Sequence, residues 1–279
     1  MTMLPDTFYG YGIGLRPAYY EDIIRQRPAL DFLEIISENY LVAGGKPLYY
    51  LDKIAEMYPL FMHGVSLSIG SQDPLDQNYL KQLKKLADRV APLIISDHLC
   101  WTSHAGHNLH DLLPLPYLGD TVKHVSERVR LVQDILERPI LLENVSSYIE
   151  YKSSEMSEWE FYQAIVEESG CFMLLDINNI YVSAKNHGYN PLDYLTAIPK
   201  HRVKQFHLAG HSNYGDYIID THDQAICNEV WQLYAQACSL FGRISTLIER
   251  DDNFPPLNVL LAEVQQAKNT MHSVVMEAA

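Results

Sequence analysis

The sequence predicts a single (β/α)8 TIM barrel, and three observations point to it. Eight short apolar runs recur along the 279 residues, separated by segments with helical periodicity, at close to the roughly 30 residues of a βα unit. The runs are mostly continuous rather than alternating, as in strands buried on both faces. Most of them end in a carboxylate or an imidazole, which a parallel barrel would gather at the C-terminal rim of its strands. Such a barrel needs about 250 residues. One domain over 1–279 is therefore expected, with no linker, low-complexity tract or composition shift to divide it.

The elements follow in order. Tyr11–Leu15 is the first run, stopped by Arg16-Pro17. Its Gly10-x-Gly12-x-Gly14 spacing has the look of a dinucleotide loop but lacks the final glycine and lies within a strand, so turn geometry is the better reading. Leu30–Ile36 comes second, followed by Ser37-Glu38-Asn39. Leu60–Met62 leads into His63, and Leu93–Ile95 leads into Asp97-His98. Between those two runs, Leu80, Leu83, Leu86, Ala87 and Val90 form an amphipathic stripe at helical spacing. His104, His107 and His110 then read as a solvated loop over the mouth, within reach of substrate. Val125, Val129, Val132, Ile135 and Leu136 make a second stripe before Ile140–Leu142, which ends in Glu143. Ser157 with Glu160 has the form of a capping box for a helix over Trp159–Glu168, closed by Gly170. Phe172–Leu175 ends in Asp176, and Val203–Phe206 ends in His207. A third stripe, Val230, Leu233, Tyr234, Ala237 and Leu240, precedes Thr246–Ile248 and Glu249.

The bulk numbers narrow the function. The net charge is −14, from 35 acids against 21 bases, which argues against non-specific binding to nucleic acid or an anionic membrane. No apolar run is long enough to cross a bilayer. Met1–Gly10 has neither the basic nor the apolar region of a signal peptide. Cys100, Cys171, Cys227 and Cys238 form no Cys-x-x-Cys pair and read as reduced thiols of a cytoplasmic protein.

Singly, the strand-end groups prove little. A lone His63 reads as a core histidine satisfied by one backbone bond, and Asp-x-His, as in Asp220-Thr221-His222, is common by chance. Jointly they are costly to bury unless cations neutralise them. Adjacent strand residues face opposite ways, so His98 is the expected ligand and Asp97 an orienting group. Glu143 and Asp176 lie on fully apolar strands, where a carboxylate shared between metals explains them better than an unpaired acid. Asn178 and Asn179 offer neutral oxygens, and Asp220 with His222 completes a third position. Imidazole and carboxylate without cysteine suit zinc, iron or manganese.

Several stretches carry a family likeness: Ser96-Asp97-His98-Leu99, Asp111-Leu112-Leu113-Pro114-Leu115-Pro116-Tyr117, Leu142-Glu143-Asn144-Val145-Ser146 and Leu175-Asp176-Ile177-Asn178-Asn179. Phe206-His207-Leu208-Ala209-Gly210-His211, Asp220-Thr221-His222 and Ile248-Glu249-Arg250-Asp251 continue it. From Gly12 to about Pro256 the chain resembles the multinuclear non-heme iron-dependent oxidative enzymes, long catalogued as a family of unknown function. The resemblance implies a xylose isomerase-like barrel, akin also to the apurinic endonucleases that hold three zincs. By that likeness His63, His98 and Glu143 would hold one metal. Glu143, Asp176, His207 and Glu249 would hold a second, with Glu143 bridging, and Asn179, Asp220 and His222 a third. The endonucleases have histidine where Asn179 stands, which argues against their DNA-repair activity here. Two or three irons and dioxygen would modify a cysteine of a ribosomally made precursor peptide, presented by a separate partner protein. One iron would take the thiolate and a neighbour would activate dioxygen, with Asp251 or His211 as a nearby base.

Two other readings compete. One is a zinc or manganese enzyme of the same barrel class, a phosphodiesterase or a sugar isomerase. An isomerase calls for a lysine near the metals, and no strand ends in one; a phosphodiesterase calls for basic residues at the mouth, where only Arg16, Arg250 and Lys185 are candidates. The other is a non-catalytic peptide-binding or metal-binding barrel, which the mixed ligand set gives no reason to prefer.

Overall fold

Parallel strands at all eight expected places close into a barrel in a computed structural model that describes residues 7–277. The barrel strands are β1 (Tyr11–Gly14), β2 (Phe32–Ile36), β3 (Leu60–Gly64), β4 (Ile95–His98), β7 (Leu141–Glu143), β8 (Phe172–Asp176), β9 (Val203–Leu208) and β12 (Ser245–Ile248). They neighbour one another in that order, and β12 pairs back onto β1. Two hairpins rise beyond the strand ends: β5 (Trp101–His104) with β6 (His107–Leu113), and β10 (Ser212–Asn213) with β11 (Ile218–Ile219).

The strands are buried on both faces, and the two faces differ. Outward side chains such as Leu33, Ile35, Met62, Leu142 and Phe206 join the large core against the helices. Inward, Phe32, Phe61, Leu141, Leu174 and Leu247 form a separate cluster, in which Phe32 and Phe61 stack at 4.0 Å between centroids. Gly12 leaves room for this layer, since a Cβ there would lie 2.6 Å from the Phe32 ring. Two residues further along the same strands come Glu34, His63, Glu143, Asp176 and Glu249. The strand period of two therefore stacks a polar layer directly on an apolar floor.

Helices α1 (Tyr20–Gln26), α2 (Lys46–Ala55) and α7 (Pro191–Ala197) accompany the expected ones. Helix α3 (Gln77–Val90) is capped by Asp76, whose carboxylate accepts from the Asn78 and Tyr79 amides. Helix α4 (Gly119–Leu136) buries Val122, Val125, Val129 and Val132. Helix α5 (Glu158–Ser169) begins at the capping box of Ser157 and Glu160 and ends at Gly170, whose φ is +75°. Helix α6 (Ile177–His187) starts directly after β8, with Asp176 as its cap. Helices α8 (Asn228–Phe241) and α9 (Leu257–Glu277) flank β12 in sequence.

One expectation is corrected. The segment with His104, His107 and His110 is the β5–β6 hairpin, not a loop, although its three imidazoles are exposed. Ala105 and Gly106 both take positive φ at its turn, the geometry that suits a tight hairpin, and Asp73 accepts from both of their amides. The four cysteines are free thiols, three of them buried. Among the described residues no helix is long and apolar enough to cross a membrane. The reading of Met1–Gly10 as no signal peptide falls, for residues 1–6, outside the described residues.

Candidate metal centre

Register sets the site. His98 on β4 is level with Glu143 on β7, and Asp176 on β8 is level with His207 on β9. His63, His98, Glu143, Asp176, His207 and Glu249 are each at most 7% exposed.

At the first group, His63 Nε2 and His98 Nε2 lie 3.2 and 3.4 Å from the same Glu143 oxygen, Oε2. The far side of each ring fixes its tautomer. His98 Nδ1 is 3.0 Å from the Gly64 carbonyl, which only accepts, so Nδ1 carries the proton. His63 Nδ1 donates to Ser96 Oγ at 2.8 Å, and that hydroxyl in turn donates to the Met62 carbonyl. Both Nε2 atoms are then bare lone pairs facing a carboxylate, which is repulsive until a cation stands between them. Asp97 points away from this point and accepts from the His98 amide at 2.8 Å.

The second group surrounds His207. Its Nε2 is 3.0 Å from Glu34 Oε1, and Gln205 Nε2 holds Glu34 Oε2 at 2.6 Å. A carboxylate behind an imidazole frees the opposite nitrogen for a metal. That nitrogen, Nδ1, lies 3.0 Å from Glu249 Oε2 and 3.6 Å from Glu143 Oε1. Asp176 divides its oxygens: Oδ1 accepts from the Asn179 amide at 2.7 Å and caps α6, while Oδ2 has no hydrogen-bond partner. Glu249 does likewise, giving Oε1 to buried Arg16 at 3.2 Å and turning Oε2 to His207 and His222.

The third group centres on His222, held at φ +48°, a conformation unusual for a non-glycine residue. Its Nε2 lies 2.7 Å from Asp220 Oδ1, and its Nδ1 lies 3.2 Å from Glu249 and 3.4 Å from Asp251. His222, Glu249 and Asp251 thus form a compact triad alongside the expected trio of Asn179, Asp220 and His222. Asn179 donates to the Asn144 carbonyl through Nδ2 and lines the cleft with its Oδ1 unpaired. Asp251 is at the rim, with one oxygen on Arg16 at 2.7 Å. His211 does not line the cleft; its Nδ1 meets Asn178 Oδ1 at 2.8 Å, and the Asn178 amide donates to Asp220.

The residues fit metal ions on one observation above all. Both Glu143 oxygens, Asp176 Oδ2 and Asn179 Oδ1 are buried without a hydrogen-bond partner, while His207 Nδ1 and His222 Nε2 face only carboxylates. Buried polar groups are normally satisfied, and these orphans converge. Ligands about 2.1 Å from one metal and at right angles stand roughly 3 Å apart, close to the spacings found here. Charge points the same way. Burial and the imidazoles of His98 and His207 hold His63 well below its usual range. Burial pushes Asp176 well above the carboxylate range, with His222 opposing and Glu143 adding. His207 is raised well above its usual range, where Glu34, Glu249 and Glu143 overcome its burial; His222 is raised likewise, with Asp220 the leading carboxylate. Despite burial, those two imidazoles hold Glu249 well below. Protons thus balance the carboxylates here, and a metal would displace them.

The sequence reading misses Glu34, Gln205 and Ser96, which stand behind the imidazoles. A signal for Glu34 exists: an acid two residues after Phe32 on an otherwise apolar strand.

The architecture defines the class, a xylose isomerase-like barrel. A D-tagatose 3-epimerase-like protein superposes with a TM-score of 0.64 at 14% identity, covering 97% of this chain and 100% of that one. An L-ribulose 3-epimerase gives 0.60 at 15%, covering 96% and 95%. At such identities the likeness is one of fold alone. The profile of the family described as "RiPP precursor modification enzyme MbnB/TglH/ChrH" matches residues 10–272, and the chain belongs to that family. Relatives are a UPF0276 protein of Caulobacter vibrioides, 51% identical over 96% of this chain and 95% of its own length, and one of Anaeromyxobacter sp., 50% identical over 92% and 91%. A third, from Vibrio vulnificus, is 42% identical over 95% and 92%.

Proposed function

We propose that this chain is a non-heme iron enzyme that uses dioxygen to modify a cysteine of a ribosomally made precursor peptide, brought to it by a separate partner protein. Membership of a family of precursor-modifying enzymes supports a peptide substrate. The converging orphan donors carry the metal part of the proposal. His63, His98 and Glu143 would hold one iron, Glu143, Asp176, His207 and Glu249 a second, and Asn179, Asp220 and His222 a third. Bound there, the irons would supply a site for the thiolate and the activation of dioxygen.

The protein's own groups do the rest. Ser96, the Gly64 carbonyl and Glu34 fix the imidazole tautomers. Arg16 holds Glu249 and Asp251 at the rim, so each keeps one oxygen for the cleft. Of the two expected bases, Asp251 faces the cleft, and its oxygen nearest His222 is placed to accept a substrate proton. His211 acts through Asn178, orienting the amide that donates to Asp220. The cleft is about 160 Å³, room for one amino-acid side chain, where whole small-molecule ligands occupy about 300 Å³ or more.

The competing hydrolytic reading finds its basic residues engaged elsewhere. Arg16 is spent on Glu249 and Asp251, Arg250 pairs with Glu263 at 3.2 Å, and Lys185 is an exposed residue of α6. Among the described residues no lysine lines the cleft to serve an isomerase. In this proposal 1–279 works as one domain in the cytoplasm, where thiols stay reduced.

The test is reconstitution with ferrous iron without oxygen, followed by a cysteine-bearing precursor peptide, the partner protein and dioxygen. Mass spectrometry should show a change that requires iron, oxygen and the cysteine. A change that also occurs with zinc alone, or without oxygen, contradicts the proposal.

A further inference from the structure

A second cavity, of about 740 Å³, opens beside the metal cleft. The two share a wall. Ser146 lines the cleft, while the next residues, Ser147 and Tyr148, line the cavity. Tyr148 Oη accepts from the Asp220 amide at 2.9 Å and meets Ser146 Oγ at 3.1 Å, so one ring separates the third metal group from the second cavity.

The cavity has aromatic walls and two acids, with Lys152 and His187 also on its lining. Tyr117, Tyr151, Trp159 and Tyr189 line it with Tyr148. Trp159 packs edge-on against Tyr189 at 5.5 Å and against Tyr194 behind it at 5.8 Å, which fixes its plane. Glu158, the first residue of α5, also lines the cavity. Its carboxyl is held by two phenols, Tyr194 Oη at 3.1 Å and Tyr117 Oη at 3.4 Å. Among the described residues no lysine, arginine or histidine pairs with it. The second carboxylate, Glu150, is exposed at the rim, 3.7 Å from His187 Nδ1. Lys152 on the same rim is exposed, and among the described residues it pairs with neither acid. Burial raises the Glu158 carboxyl to about 7, as expected where no cation answers it.

We propose that this cavity is a cation-accepting subsite, which takes an arginine or lysine side chain of the peptide close to the cysteine being modified; this rests on the peptide-modifying reading above. Aromatic faces attract a cation through their quadrupoles, and the attraction grows as water is excluded. The Glu150 carboxylate, and Glu158 once an entering cation draws off its proton, add charge complementarity that a neutral aliphatic side chain would leave unanswered. The shared wall places the subsite next to the reacting residue. The net charge of −14 adds a long-range pull on a basic segment.

The experiment needs neither iron nor turnover, so it can fail while the oxidative reading stands, and succeed while that reading falls. N-acetyl-arginine N-methylamide is titrated into the full-length protein by ligand-observed NMR, beside the citrulline analogue, which has the same shape without the charge. The arginine compound should bind at least about tenfold more tightly. Glu150→Gln, a change at an exposed position, and Trp159→Leu should each weaken it severalfold, with the circular dichroism spectrum unchanged for Glu150→Gln. Equal binding of the two compounds, or no effect of Glu150→Gln, would overturn the proposal. Tetramethylammonium binding as tightly as the capped arginine would also overturn it, in favour of a free small cation.

Discussion

Ser96 carries no charge and presents nothing to the cleft, yet it decides which nitrogen of His63 is free. Its hydroxyl accepts from Nδ1 and donates to the Met62 carbonyl. Ser96→Ala should lower affinity at the first metal group about 10–100-fold, the usual cost of losing such a partner, with little change in Tm. Competition with a coloured chelator reads this directly, and unchanged affinity would mean that the tautomer is set elsewhere. Arg16 is a different case, because it is buried against Glu249. Arg16→Met removes the partner of Glu249 Oε1 while His207 and His222 still face Oε2, and in metal-free protein it should cost about 2 kcal/mol, measurable by urea unfolding. These residues show where sequence reasoning stops. The strand-end groups His63, His98, Glu143, Asp176, His207 and Glu249 were legible because an acid or imidazole closing an apolar run is conspicuous. Gln205 lies inside its run and Ser96 just past the end of its own, and only knowledge of which way each side chain faces marks them, whereas Glu34 is an acid on an apolar strand and could have been marked.

Among the elements, α6 shows how one residue can serve fold and site together. Asp176 ends β8, caps α6 with Oδ1 and turns Oδ2 toward His222, 3.7 Å away. Asparagine caps a helix as well as aspartate does, but alanine does not. Asp176→Asn should therefore keep the fold's stability and lose metal, whereas Asp176→Ala should lose metal and about 1 kcal/mol more. Equal stability of the two would deny the cap its role. At the start of α5, burial raises Glu158 to about 7. Its ordinary value is 4.5, so the folded state holds this proton longer than the unfolded chain. Stability from this group is complete below about pH 4.5 and is lost as pH rises to about 7. Glu158→Gln should remove that slope, so the variant should gain on the parent between pH 5 and 8 in thermal melts. The capping box of α5 and the stripes of α3, α4 and α8 were legible because their signals are local. The β5–β6 hairpin was not, because its polar strands carry no alternation and its turn, Ala105-Gly106, lacks the usual Asn-Gly signal.

At the scale of the whole molecule, the barrel is a floor of Phe32, Phe61, Leu141, Leu174 and Leu247 beneath a ring of acids and imidazoles. Eight alternating βα units made the closed barrel predictable, while the meeting of residues as distant as Arg16 and Glu249 depends on β12 pairing with β1. Because the folded barrel gathers these donors at one place and the unfolded chain does not, metal should bind the folded state far better than the unfolded chain. Chelation should lower Tm by several degrees, and readdition should restore it. The most direct test is elemental analysis with Mössbauer spectroscopy on protein made with iron available and purified without oxygen. Two or more irons per chain, some magnetically coupled through Glu143, are predicted. Zinc or manganese with no iron, or no stoichiometric metal, would contradict the account.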